Sequence, residues 1–435
     1  MSLASQIDHQ PMSRYQVVAI IVCTIINMMD GFDVLVVAFT APSLAVDWEL
    51  SATAIGALLS AGLVGMILGS LALGPLADRY GRRPLVLFCL VLISLGMLAS
   101  AVTQNVTQLM WTRVITGLGI GGMLPSLNTI VAEFSSLRRR SFAISFLQAG
   151  YPVGATLGGI IAAVLIAQFG WRSVYAVAGL VSSLMIFVAW RRLPESLDYL
   201  VTRQPPRALA KINHLMRNMG RPQVAVIPAR PTAHAREKTG YAALPATPGL
   251  MATTALLCVA FFMVMLSFYF VLSWTPKILV DTGLSISQGI SGGVLLNIGG
   301  IVGSIVLGYV SVRLKINKLI AVYMLITTGL MALFANVTTF NAGMLALTLS
   351  LGFFIFGSIV GLYALAPHLY PVRCRSSGLS MAIGIGRLGG VSSPLLAGYL
   401  LDHSWAQQDI FIVFAGPLLL SAMVVLGLTA RRRQP

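Results

Sequence analysis

An all-α membrane protein of twelve transmembrane helices, arranged as two pseudo-symmetric six-helix bundles, is the fold class that the sequence predicts. Three observations carry that expectation. The 435 residues are 57% hydrophobic and only 10% charged, where a soluble chain carries roughly 25% charged residues. Apolar runs of about 20 residues, the length that crosses a hydrocarbon core, recur along the whole chain. Segments of the first half return in the second at an offset of about 235 residues, the mark of an internal repeat. This composition excludes a soluble enzyme, a coiled coil and a disordered chain. Lipid permits only helices or closed barrels, because each unpaired backbone amide costs several kcal/mol, and runs of this length mean helices.

In order, the spans fall at 16–39, 53–76, 84–103, 107–131, 141–168 and 172–190, then at 250–274, 287–311, 317–336, 341–366, 377–401 and 409–430. The first is too long and too acidic for a cleavable signal peptide, and no small-residue cleavage site follows it. The six-helix halves 1–190 and 250–435 flank a polar, basic, Pro- and Arg-rich stretch, 191–249. Within it Leu209, Ile212, Leu215, Met216 and Met219 recur at helical spacing opposite Arg207, Lys211 and Arg217. That pattern predicts a cytoplasmic linker with an amphipathic helix lying on the inner leaflet.

Basic residues orient the chain. With the N-terminus in the cytoplasm, 25 of the 29 Lys and Arg residues fall on that side, ten of them between Arg191 and Lys238. Only Arg172 and Lys277 fall in the opposite loops, while Arg113 and Arg387 lie inside spans. Both termini are therefore expected in the cytoplasm, in a multi-pass protein of the cell inner (plasma) membrane. The net charge of +16 is a topology signal, and no nucleic-acid partner is expected. Cys23, Cys89, Cys258 and Cys374 show no paired spacing, so neither a disulfide framework nor a zinc site is indicated. Without a Walker A sequence or a dinucleotide fingerprint, no nucleotide cofactor is expected either.

The repeat is visible in detail. Glu133-Phe-Ser-Ser-Leu-Arg138-Arg-Arg140-Ser141 aligns with His368-Leu-Tyr-Pro-Val-Arg373-Cys-Arg375-Ser376, and Gly74 to Arg79 faces Gly308 to Arg313, with Val312 where the first copy has Asp78. Two halves in parallel repeat predict a site at their interface near mid-membrane. Ala61-Gly65-Gly69 and Gly150-Gly154-Gly158 form small-residue ridges along which helices approach closely.

Gly74-Pro-Leu-Ala-Asp78-Arg79-Tyr-Gly81-Arg82-Arg83 resembles the signature between helices 2 and 3 of the major facilitator superfamily. Within it the chain looks like the aromatic acid:H⁺ symporter family, the permeases for benzoate, hydroxybenzoates and muconate. Asp30-Gly-Phe-Asp33, Arg113-Val-Ile-Thr-Gly-Leu-Gly, Leu272-Ser-Trp-Thr-Pro-Lys, Gly386-Arg387-Leu-Gly-Gly and Pro194-Glu195-Ser196 carry that likeness. The fifth span reads Gly150-Tyr-Pro-Val-Gly154 and lacks the Gly-Pro pair typical of antiporters, which favours symport. The resemblance implies a cytoplasmic charge lock of Asp78, Arg79, Arg82, Arg83 and Glu133 that steadies the outward-facing state, with Glu133 placed to meet Arg82 or Arg83.

Charges inside the bilayer need a reason, since each costs at least ~2.5–3.5 kcal/mol. Asp30 and Asp33 are three apart, share a helix face, and are the expected proton-coupling pair. Arg113 and Arg387, one from each half, cannot shed their protons and must meet an acid or an anionic ligand. Arg113 is expected to balance the aspartates at the substrate site, and Arg387, with no mid-depth acid in its half, to grip a carboxylate bidentately. Gln148, Tyr151, Asn297, Tyr269, Trp274 and Tyr363 suit the walls of a pocket for a flat, partly polar ligand.

The expectation is a monomeric, proton-coupled symporter that imports a small organic anion, an aromatic carboxylate, by alternating access. It would be driven by the proton-motive force without a cofactor, and it is not an enzyme. The alternatives are a sugar-acid, dicarboxylate or other metabolite carrier of the same fold, and a drug/proton antiporter. Two buried arginines disfavour neutral sugars and cationic drugs.

Overall fold

A computed structural model describes residues 10–74, 76–227, 250–311, 313–335, 342–370 and 375–430. Val312, Arg373, Cys374, Lys238 and Arg431 to Arg433 lie outside the described residues, as does the side chain of His368.

Among the described residues twelve long helices follow in chain order: α1 (Arg14–Asp47), α2 (Ala52–Ala72), α3 (Arg82–Ala101), α4 (Val106–Glu133), α5 (Arg140–Phe169), α6 (Trp171–Arg192), α7 (Leu250–Asp281), α8 (Ile286–Ser311), α9 (Ile316–Phe334), α10 (Ala342–Leu365), α11 (Arg375–Asp402) and α12 (Gln407–Ala430). Among the described residues eleven helices are long and apolar enough to cross a membrane. The 28 residues of α11 occupy the remaining predicted span. Shorter helices run over Leu76–Tyr80, Leu197–Arg203 and Ala208–Asn218. Large apolar side chains such as Ile305 and Phe142 stay 67% and 72% exposed, which water would penalise and lipid does not. Several helices outrun their apolar stretch. The helix α1 ends at Asp47 and α7 at Asp281, because hydropathy marks lipid depth whereas a helix continues as long as its backbone bonds close.

The chain divides into two compact units: residues 1–34, 64–154 and 172–235, and residues 35–63, 155–171 and 236–435. In the first unit, glycines bring helix backbones into contact. A Cβ on Gly65 or Gly69 would lie 2.2 or 2.0 Å from the carbonyl oxygens of Val114 and Leu118, joining α2 to α4. Gly150 and Gly154 press likewise on Thr24 and Met28 of α1. Asn27 adds a buried hydrogen bond from Nδ2 to the Leu147 carbonyl of α5, at 2.7 Å.

The second unit repeats this packing. Gly299 and Gly303 of α8 sit 2.0 and 1.9 Å, as added Cβ positions, from the carbonyls of Leu349 and Phe353 in α10. They are the counterparts of Gly65 and Gly69 at the sequence offset of the repeat. Gly386 meets Phe261 and Met265 of α7, as Gly150 meets Thr24 and Met28 of α1. The internal repeat is therefore a repeat of helix contacts. Aligning those contacts puts Arg387 at the place that Tyr151 holds in the first half.

One expectation is corrected. The helix Ala208–Asn218 is amphipathic, but its apolar face is covered by protein: Ile212 and Met216 are fully buried, and Leu215 and Met219 nearly so. Asn213 clasps the Val224 backbone through both its amide atoms, and Arg221 donates to the Pro11 carbonyl at 2.6 Å. The helix caps its own unit.

Candidate functional site: buried charges in each unit

The first unit holds a cluster of three charges. Asp30 and Asp33 come from the middle of α1 and Arg113 from α4, and they are 1%, 5% and 2% exposed. Gly31, between the aspartates, lets α1 close on the Tyr151 carbonyl of α5, where a Cβ would fall at 2.0 Å. Oδ2 of each aspartate has no hydrogen-bond partner. Such an orphaned buried oxygen costs about 1–3 kcal/mol, more when charged, unless a proton or ligand engages it in some state.

Arg113 is held from the side of α3. Its Nη2 donates to the Gly96 carbonyl (3.2 Å), Ser100 Oγ (2.6 Å) and Thr116 Oγ1 (3.1 Å). Nη1 donates to Met97 Sδ (3.2 Å), and the guanidinium lies 4.9 Å from the Tyr175 ring centroid of α6. Gly96 makes room, since a Cβ there would strike Thr116 Oγ1 at 2.3 Å. The ion pairs among the described residues are Arg82–Asp78, Arg82–Asp198 and Lys277–Asp281, so Arg113 touches no carboxylate. It acts on Asp33 electrostatically across a gap, and its Nε has no partner. Of the remaining expected residues in this unit, Gln148 is exposed and Tyr151 half-buried.

The second unit holds the other arginine. Arg387 of α11 is half-buried and lies near Tyr269 of α7 and Tyr363 of α10. Gly390 gives Tyr269 its place, because a Cβ would meet that ring at 2.7 Å. Tyr363 packs edge-on against Phe261, centroids 5.3 Å apart, while 37% of its surface stays open. Trp274 and Asn297 are fully buried. Asn297 spends its amide on the Gly293 carbonyl at 2.9 Å, leaving Oδ1 unpaired, and Trp274 Nε1–H is unpaired as well. A cation, two phenols, a bare donor and a bare acceptor thus fall in one unit.

The arginine-rich end differs in detail from expectation. Among the described residues Glu133 makes no ion pair with Arg82 or Arg83, but Arg82 acts on it electrostatically, and its carboxylate accepts from Ser196 Oγ (2.8 Å) and the Leu197 N–H (2.9 Å). There it caps the helix Leu197–Arg203, taking up an amide that the helix itself leaves unpaired. Glu195, to which the sequence assigned no role, accepts from the N–H groups of Arg82 (2.8 Å) and Arg83 (3.2 Å) at the start of α3. Gly81 is required beside it, with φ of +107° and Glu195 Oε2 2.4 Å from its absent Cβ. The Arg82 side chain spans Asp78 (3.2 Å) and Asp198 (3.6 Å). Arg83 donates to the Trp190 carbonyl, and Arg79 lies over the ring of its neighbour Tyr80. The Pro-Glu-Ser spacing was the signal for Glu195; the small hydroxyls around Arg113 left none.

The chain matches the Major Facilitator Superfamily over residues 21–390. It is similar to the gallate transporter of Pseudomonas putida, 34% identical across 97% of this chain and 93% of that one. It is similar also to the 4-hydroxybenzoate transporter PcaK of Pseudomonas aeruginosa (32%; 97% and 94%) and to the 3-(3-hydroxy-phenyl)propionate transporter of Escherichia coli (30%; 94% and 93%). Among solved structures it shares its fold with a D-xylose-proton symporter (TM-score 0.71, 17% identity, 94% and 97% covered). It does so too with a bacterial homologue of the lysosomal transporter Spinster in an inward-facing, occupied conformation (TM-score 0.72, 15%, 97% and 98%).

Proposed function

The chain belongs to the major facilitator superfamily, and from that premise we propose that this multi-pass membrane transporter is a proton-coupled symporter importing an aromatic carboxylate by alternating access. The observation that carries the coupling is the pair of buried aspartates with bare Oδ2 atoms beside a permanent cation. Two acids and one fixed cation leave the cluster one proton short of neutrality, the state that costs least out of water. Arg113, occupied by α3, serves as the fixed counter-charge. Arg387 is the grip for the substrate carboxylate, with Tyr269 and Tyr363 beside it and Trp274 and Asn297 for further polar groups. The substrate class rests on the names of the relatives, which carry gallate, 4-hydroxybenzoate and a hydroxyphenylpropionate.

The charge arithmetic favours symport. A carboxylate of pKa about 4 is an anion at neutral pH, and an inside-negative potential opposes its entry by ~2.3 kcal/mol per 100 mV. A proton carried in the same cycle cancels that term. By the positive-inside rule the arginine-rich end and both termini face the cytoplasm of the inner membrane.

The test is uptake by proteoliposomes acidified outside. Labelled 4-hydroxybenzoate and gallate should accumulate, and a protonophore should abolish accumulation. Uptake indifferent to the protonophore would remove the coupling. Accumulation of a sugar acid in preference to both aromatics would transfer the site to another metabolite.

A further inference from the structure

The carboxylate of Asp402, at the last residue of α11, reaches the first turn of α2. Its Oδ1 accepts from the Ala52 N–H and its Oδ2 from the Thr53 N–H, each at 2.9 Å. The first amides of a helix have no partner within it, and at α2 their distribution can be followed one by one. Ser51 Oγ takes the Ala54 N–H at 3.2 Å, and the Ser51 carbonyl takes the Ile55 N–H at 3.1 Å. The two that Ser51 does not serve go to Asp402, some 350 residues away in sequence.

Below this cap α2 and α11 run antiparallel with one small-residue contact per turn. Gly398 faces the Ala52 carbonyl and Gly56 the Pro394 carbonyl, where added Cβ atoms would fall at 2.4 and 2.3 Å. Ser60 Oγ donates to the Val391 carbonyl at 2.7 Å. Residues 35–63 and 236–435 belong to one compact unit, so this end of α2 is packed with the second half of the chain. The seam holds no ion pair among the described residues, and its cap is exposed. Water can replace the carboxylate on both amides, so the contact is built to part.

We infer that Asp402 is a latch that holds the arginine-poor end of the transport path closed, by capping α2 from α11. The inference rests on the alternating access proposed above, but its test reads accessibility and needs neither substrate nor proton. Ser60 is 2% exposed beneath the cap, so Ser60→Cys reports opening to a membrane-impermeant maleimide added to intact cells. Adding Asp402→Ala should raise its labelling rate roughly fivefold, the worth of one helix cap, and Asp402→Asn should raise it less. Ala52→Pro deletes the donor to Oδ1 at a helix position where proline is otherwise favoured, and should open the seam like Asp402→Ala. The native Cys89, fully buried in α3, should remain unlabelled throughout. Unchanged labelling of the Ser60→Cys reporter in both latch variants would overturn the inference. So would equal gains at the reporter and at Cys89, which would mean general loosening.

Discussion

A guanidinium in a bilayer is defined by what its five donors find. Arg113 finds carbonyl and hydroxyl oxygens of α3 and α4, whereas Arg387 is half-buried among phenols. The two should therefore respond differently to mutation. Arg387→Ala should weaken equilibrium binding of 4-hydroxybenzoate by about tenfold or more, since a hydrogen bond to a charged group is worth ~1.5–3 kcal/mol. Arg113→Ala should leave protein that unfolds at lower temperature, because four oxygen and sulfur acceptors lose their donor. Trp274→Phe isolates a single N–H. If that donor meets a substrate hydroxyl, affinity falls about five- to tenfold, the value of one neutral hydrogen bond. Unchanged affinity measured by isothermal titration would remove Trp274 from the site. The residues bearing full charge were legible in the sequence, because lipid makes every buried charge conspicuous. Ser100, Thr116 and Tyr175, which hold Arg113, were not, since a hydroxyl or ring in a membrane helix is ordinary until its neighbour is known.

At the scale of elements, the glycines sort into those that carry a backbone contact and those that do not. A Cβ on Gly303 would lie 1.9 Å from the Phe353 carbonyl, whereas one on Gly308 or Gly329 meets nothing within 4 Å. Gly303→Val should lower the unfolding temperature in detergent by an amount matching the ~1–3 kcal/mol of overpacking. Gly329→Ala, inside α9, should be neutral or stabilising by up to about 1 kcal/mol. Equal effects at both positions would mean that close approach of α8 and α10 is not what the glycine supplies. The helices themselves were readable from apolar runs, and their ends less so. The pairing of Gly65 and Gly69 with Gly299 and Gly303 was also present in the sequence as an offset of 234, yet a stripe of glycines gains meaning only when its partner carbonyl is seen. The same holds for Arg387, which stands where the first half has Tyr151. The amphipathic helix 208–218 misled because periodicity reports an apolar face but not whether protein or lipid covers it.

For the whole molecule the decisive quantity is the sum of buried charge through a cycle. Asp30, Asp33 and Arg113 carry a net charge of about −1 when both acids are ionised, and one proton makes the cluster neutral, the state that costs least in lipid. Arg387 and a bound monocarboxylate cancel in the same way. A path that moves only neutral clusters carries one proton with each monocarboxylate and no net charge. Accumulation should then follow the pH difference and ignore the voltage. With potential clamped by potassium and valinomycin, changing it by 100 mV should leave the accumulation ratio unaltered, whereas each uncompensated charge would change it about fiftyfold. Asp30→Asn removes the need for the proton, since Asp33 and Arg113 already balance. That variant should retain exchange of labelled for unlabelled substrate across the membrane yet lose pH-driven accumulation. Retained accumulation would transfer the proton to Asp33, and a voltage-dependent wild type would require both aspartates to load in every cycle.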